Sequence, residues 1–119
     1  MNVSTSPTHT AESGLAELFS LLGNPARLQI LLFLGEGEAC VCHLKDALSQ
    51  RQAYISQQLM ILRRAGLVSA ARKGRNIYYR VARPEVLEIV HASAILRGIT
   101  LPLPKIPDTP GCPYPGDSE

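Results

Sequence analysis

The chain has 119 residues, 45% of them hydrophobic, with a formal net charge of +2 and three cysteines. That length suits one domain of ordinary size and leaves no room for a second core. No apolar run approaches the roughly 20 residues that cross a bilayer, and the N-terminal segment has neither a basic nor an apolar leader, so a cytoplasmic protein without a membrane span is predicted.

A polar arm, residues 1–11, precedes Leu15, Leu18, Phe19 and Leu22, whose i, i+3, i+4, i+7 spacing predicts a first helix. Asn24-Pro25 supplies an N-cap and a first-turn proline for a second helix, with Leu28, Leu31 and Leu32 inside and Gly35 at its end. A third helix is expected over residues 40–48, burying Val41, Leu44 and Leu48, before the polar turn Ser49-Gln50-Arg51-Gln52. Residues 53–65 form the longest amphipathic run. Ile55, Leu59 and Leu62 line one face, Tyr54, Gln57, Gln58, Arg63 and Arg64 the other, and Gly66 is the expected C′ residue.

Beyond Gly66 the period falls to two. Leu67-Val68 opens a strand, Lys73-Gly74-Arg75-Asn76 makes a turn, and Ile77, Tyr79 and Val81 alternate with Tyr78 and Arg80. Pro84 starts a last helix in which Val86, Leu87, Ile89, Val90 and Ala94 give an apolar face broad enough for a partner as well as the core. Six of the nine prolines follow Gly98, so residues 99–119 are expected as an extended tail behind a single domain over residues 12–98. The predicted fold is mainly α with a β-hairpin wing, a winged helix-turn-helix.

Charge is distributed unevenly. Arg51, Arg63, Arg64, Arg72, Lys73, Arg75, Arg80 and Arg83 fall within residues 51–83 without one carboxylate, a local +8 beside −6 for the rest of the chain. Solvated helix faces usually mix both signs. A carboxylate-free basic block suits a phosphate backbone, because each neutralised phosphate releases counterions. Two short helices joined by a polar turn match the motif that lays its second helix in a major groove of double-stranded DNA.

Gln57 and Gln58 are the expected base readers, since a side-chain amide donates and accepts at once, as the edge of adenine requires. Tyr54 and Ser56 suit a base or a phosphate, Arg51, Gln52 and Arg63 flank them, and Lys73, Arg75 and Asn76 at the hairpin tip suit backbone or minor-groove contact. Two such helices about 34 Å apart would meet successive major grooves of a palindromic site, which favours a homodimer. No nucleophile with a matching base and no paired carboxylates stand out, so an enzyme is not expected.

Glu38-Ala39-Cys40-Val41-Cys42-His43-Leu44, Ile55-Ser56-Gln57-Gln58-Leu59, Leu62-Arg63-Arg64-Ala65-Gly66-Leu67-Val68 and Gly74-Arg75-Asn76-Ile77-Tyr78-Tyr79-Arg80 together resemble the ArsR/SmtB family of bacterial metalloregulators, over roughly residues 15–94. The resemblance implies a repressor that binds DNA without ligand and loses affinity when an inducer binds. It also implies a dimer through the first and last helices, here Leu15, Leu18, Phe19, Leu22, Leu87, Val90 and Ala94.

In the family a Cys-Val-Cys pair before the recognition helix binds arsenite, As(III), or another thiophilic metal ion, and Cys40 and Cys42 stand in that place. Three cysteines in a reducing compartment are themselves read as thiols for metal or redox chemistry, and soft thiolates suit such ions; the opposing reading is two small buried hydrophobes. Two residues apart on a regular helix, both sulfurs could hold one ion only if the first turn loosened.

Arsenite-sensing relatives often carry a further cysteine where this chain has Lys45. Cys112, fourteen residues beyond Gly98, could supply the third sulfur, since an extended chain covers up to ~3.5 Å per residue. His43 is the substitute ligand, or else a solvated side chain. The zinc and nickel pattern on the last helix is absent, leaving His91 alone there. Two alternatives remain open: a thiol redox or reactive-sulfur sensor joining Cys40 or Cys42 to Cys112 rather than to each other, and a protein-contact or DNA-compacting module with inert cysteines.

Overall fold

The computed structural model describes residues 10–101. Its elements are α1 (Ala11–Leu22), α2 (Pro25–Leu34), β1 (Glu38–Cys40), α3 (Val41–Leu48), α4 (Gln52–Arg64), β2 (Val68–Lys73), β3 (Asn76–Val81) and α5 (Glu85–Arg97). The predicted mainly helical fold with a β wing is therefore present.

Local chemistry sets the helix starts. The Thr10 hydroxyl accepts the Ser13 N–H at 3.0 Å, and Asn24 Oδ1 accepts the Arg27 N–H at 3.1 Å with Pro25 in the first turn. Each such cap is worth about 1 kcal/mol. The turn between α3 and α4 is tight because Ser49 takes the left-handed conformation, φ 54° and ψ 46°, and Gln50 N–H donates back to the Lys45 carbonyl.

The core gathers Ile30, Leu31 and Leu34 from α2, Leu44 from α3, and Ile55, Leu59 and Leu62 from α4. α4 packs against α2, α3 and β2, so it is held on three sides with its remaining face outward. On α2 the fully buried residues are Leu31, as expected, and Ile30, whereas Leu28 and Leu32, also expected on the inner stripe, are half-buried.

The hairpin is as expected at its tip. Lys73 pairs with Asn76 across a Gly74-Arg75 turn, and Gly74 has φ +66°, a conformation that favours a residue without Cβ. Two features correct the sequence reading. The sheet has three strands in the order β1-β3-β2, because Glu38, Ala39 and Cys40 pair antiparallel with Arg80, Tyr79 and Tyr78. On β3, Tyr79 and Val81 pack on the main core, whereas Ile77 on the same face is 38% exposed and Tyr78 on the other face is buried, at 4% exposure, in a second cluster with Cys40 and Cys42.

No helix among the described residues is long and apolar enough to cross a membrane. Leu62 is fully buried at the centre of the α2–α3–α4 contact. Leu62→Ala is expected to cost about 2–5 kcal/mol in urea unfolding, through lost transfer energy and the cavity left behind. A loss below about 1 kcal/mol would mean that α4 is not anchored there.

Candidate DNA-binding face and thiol site

Burial of Ile55, Leu59 and Leu62 decides which side chains of α4 meet solvent. Gln52, Ser56, Gln57, Met60, Arg63 and Arg64 are exposed, Arg51 is exposed at the N-cap, and Tyr54 is half-buried. Gln58 is the exception to the predicted outer face. It is 5% exposed, and its Oε1 accepts Arg27 Nε at 2.9 Å, so it does not stand where a base reader must. The spacing contained this signal: Gln58 lies three residues after Ile55 and four before Leu62, within their stripe.

The cations of residues 51–83 are exposed. Lys73 nonetheless has a partner: its Nζ lies 2.8 and 2.9 Å from the two Glu38 oxygens and 5.9 Å from the centre of the Tyr78 ring. It ties the wing to β1, and Arg75 is left as the cation of the tip. Arg83 lies 3.5 Å from Glu85, whose carboxyl is held below its usual range first by a backbone hydrogen bond and then by Arg83. Among the described residues Arg51, Arg63, Arg64, Arg72, Arg75 and Arg80 have no such ion pair. Asn76 is half-buried opposite Lys73, closing the turn.

The cysteine pair sits where β1 becomes α3. Cys40 is the last residue of β1 and the N-cap of α3, with extended backbone at φ −92° and ψ 174°, and Cys42 is in the first turn. The two Sγ atoms are 2.7 Å apart. This overturns the expectation that the helix must loosen before both sulfurs can meet: only Cys42 belongs to the helix, and the extended Cys40 brings its sulfur over the first turn.

Cys40 is buried and Cys42 half-buried. His43, read as a solvated side chain or a spare ligand, is fully buried; its Nδ1 accepts the Cys40 N–H at 3.3 Å and lies 3.4 Å from Cys40 Sγ. It closes the helix start in the manner of a capping box. No group of three or more His, Cys, Asp or Glu among the described residues is arranged to hold a metal ion, and Cys112 lies outside them.

The expected dimer residues divide. Leu15 and Phe19 are exposed at 56% and 55%, Leu18, Leu87 and Ala94 are half-buried, and Leu22 and Val90 are turned into the monomer at 6% each. Leu22 and Val90 therefore serve the chain's own packing. Ile95, Leu96 and Ile99 were not singled out in the sequence, yet they are 80%, 84% and 54% exposed.

A helix pair with an exposed polar second helix, flanked by a basic wing, defines a winged helix-turn-helix of the DNA-binding type. Comparison with known proteins agrees. The family model described as bacterial regulatory protein, arsR family, matches residues 24–70. The chain is 42% identical over 76 residues to an uncharacterized HTH-type transcriptional regulator of Methanocaldococcus jannaschii, covering 63% of this chain and 85% of that protein.

It is 41% identical over 75 residues to a transcriptional repressor SmtB homolog of Synechocystis sp., covering 63% of this chain, and 43% identical over 67 residues to the arsenical resistance operon repressor of Escherichia coli, covering 56%. The match spans 57% of the length of each of those two proteins. Among solved structures, Rv0081 of Mycobacterium tuberculosis superposes with a TM-score of 0.69 at 33% identity, covering 76% of this chain and 92% of that one. A homodimeric winged helix-turn-helix domain from Mycobacterium bovis gives 0.64 at 28% identity, covering 79% and 91%. The chain belongs to the ArsR family.

With reductant present, maleimide is expected to alkylate Cys42 before Cys40, because only Cys42 is open to solvent, as peptide mass analysis would read. Faster modification of Cys40 would contradict the buried N-cap geometry.

Proposed function

We propose that this protein is a homodimeric repressor that holds palindromic operator DNA through α4 and the wing and lets go when Cys40 and Cys42 bind a thiophilic inducer, arsenite. The observation that carries the reading is that the extended Cys40 brings its sulfur beside that of Cys42 at the start of α3, the helix packed on α4. Ser56 and Gln57 face outward as base readers, with Arg51, Gln52, Tyr54, Arg63 and Asn76 around them and Arg75 at the wing tip toward phosphates. The exposed apolar side chains of α1 and α5 support the dimer, as does the homodimeric M. bovis neighbour.

The donor set fits the inducer. Two soft thiolates beside the start of a helix are favoured by its dipole and select soft ions over hard ones. In binding, each thiol gives up its proton and takes the place of a hydroxyl, which leaves as water, so no electron is transferred. Cys112 would add the third sulfur, from either protomer. Cys40 belongs to both β1 and α3, so a change at its sulfur reaches the wing through Tyr78 and the recognition helix through α3. The relative named for arsenical resistance is a further support.

The same contact favours a second reading, in which the two thiols join as a disulfide and their two electrons and two protons cleave the S–S bond of an organic persulfide, which leaves as a thiol and hydrogen sulfide. Fluorescence anisotropy of the reduced protein on DNA from its own upstream region, titrated in parallel with arsenite, cadmium, zinc and an organic persulfide, separates the two. Release by arsenite, weakened in Cys40→Ser and Cys42→Ser, is the expected result; release only by persulfide and reversed by reductant would replace arsenite with reactive sulfur. On the same DNA, Arg75→Ala is expected to reduce the slope of log affinity against log salt by about 0.9, one phosphate contact. An unchanged slope would remove the wing tip from the interface.

A further inference from the structure

Arg27 belongs to the basic residues outside the 51–83 block, and its side chain is half-buried among helices. Its Nη1 donates to the Leu21 carbonyl at 2.8 Å, one of the acceptors that α1 leaves open at its C-terminal end. Its Nε donates to Gln58 Oε1 at 2.9 Å on α4. One guanidinium in the first turn of α2 thus joins the end of α1 to the recognition helix. A planar fork of donors that stays charged at every working pH suits this task, and charge-assisted hydrogen bonds are the stronger kind.

Burial of Ile55, Leu59 and Leu62 sets which face of α4 is inward, but it has no directional term to fix the exact rotation of the helix. The Arg27–Gln58 bond does have one. It fixes Gln58 inward, and since neighbours on a helix are separated by about 100°, it fixes Gln57 outward. Through Leu21 it refers that rotation to α1, the helix whose Leu15 and Phe19 stand exposed.

We propose that Arg27 is a positioning residue for sequence recognition: it sets the rotation of α4 against α1, and so the orientation in which each half of the dimer presents Gln57 to a base. The inference rests on the reading of α4 as the DNA-reading helix.

The test uses the full chain and the duplex that the wild-type protein selects from a random library. Arg27→Lys keeps a cation at the Leu21 carbonyl and loses the fork; Gln58→Leu removes only the acceptor. Each is expected to lower the ratio of selected-duplex to random-duplex affinity about tenfold, the scale of one misread base pair. The salt dependence should not change, since no phosphate contact is lost.

The double variant is expected to be no worse than the poorer single variant, because both remove one interaction. Gln58→Glu, which retains an acceptor, should keep the wild-type ratio. A merely structural role would weaken binding to both duplexes equally. That result, an undiminished ratio in Gln58→Leu, or additive losses in the double variant would overturn the proposal. If the wild-type protein selects no sequence, the reading of α4 falls and this inference with it; if it does select one and Gln58→Leu retains it, only the role of Arg27 falls.

Discussion

Burial of one face of α4 is the constraint on which the remaining arrangement depends. Ile55, Leu59 and Leu62 fill the space between α2, α3 and β2, and each fully buried aliphatic side chain contributes about 1.5–3 kcal/mol relative to exposure. With that face taken, the polar side chains of the helix have one direction left. The tight α3–α4 turn then holds the two helices together, and the basic hairpin that follows Gly66 emerges beside them. The exposed polar face of α4 is thereby a consequence of core packing.

Cys40 shows how a site can share its backbone with two elements. Its peptide completes the β1–β3 pairing opposite Tyr78, and its position as N-cap begins α3. His43 closes that junction from inside the core. Two cysteines at such a junction are tied to both the sheet and the helix. A ligand bound by this pair, as proposed, would act where a strand and a helix share one residue, so that a small local change bears on both elements.

Electrostatics divides in the same manner between folding and function. Lys73 is drawn back to Glu38, and Arg83 to Glu85, while six arginines of the basic block face solvent without such partners among the described residues. Exposed ion pairs of this kind stabilise a fold by at most about 1 kcal/mol. The six arginines without such partners are what leave the segment over residues 51–83 net positive.

Periodicity and punctuation were enough to read most of the architecture directly. The i, i+3, i+4 stripes, Asn24-Pro25, Gly66, the Gly74-Arg75 turn and Pro84 are local signals, and local backbone physics acts on them wherever the chain goes. The carboxylate-free block and the Cys-Val-Cys pair were equally visible. What the chain alone could not reveal depends on partners distant in sequence.

Strand β1 is three residues long, too short for an alternating pattern, and exists because Tyr78, Tyr79 and Arg80 pair with it. The meeting of the Cys40 and Cys42 sulfurs follows from that pairing, which holds Cys40 extended instead of helical. Spacing puts Gln58 within the inner stripe, but the donor that satisfies it there, Arg27, stands 31 residues earlier, outside any window of local sequence. Composition and spacing determined the elements and their chemistry; long-range pairing decided which side chains of those elements face the core, each other or the solvent.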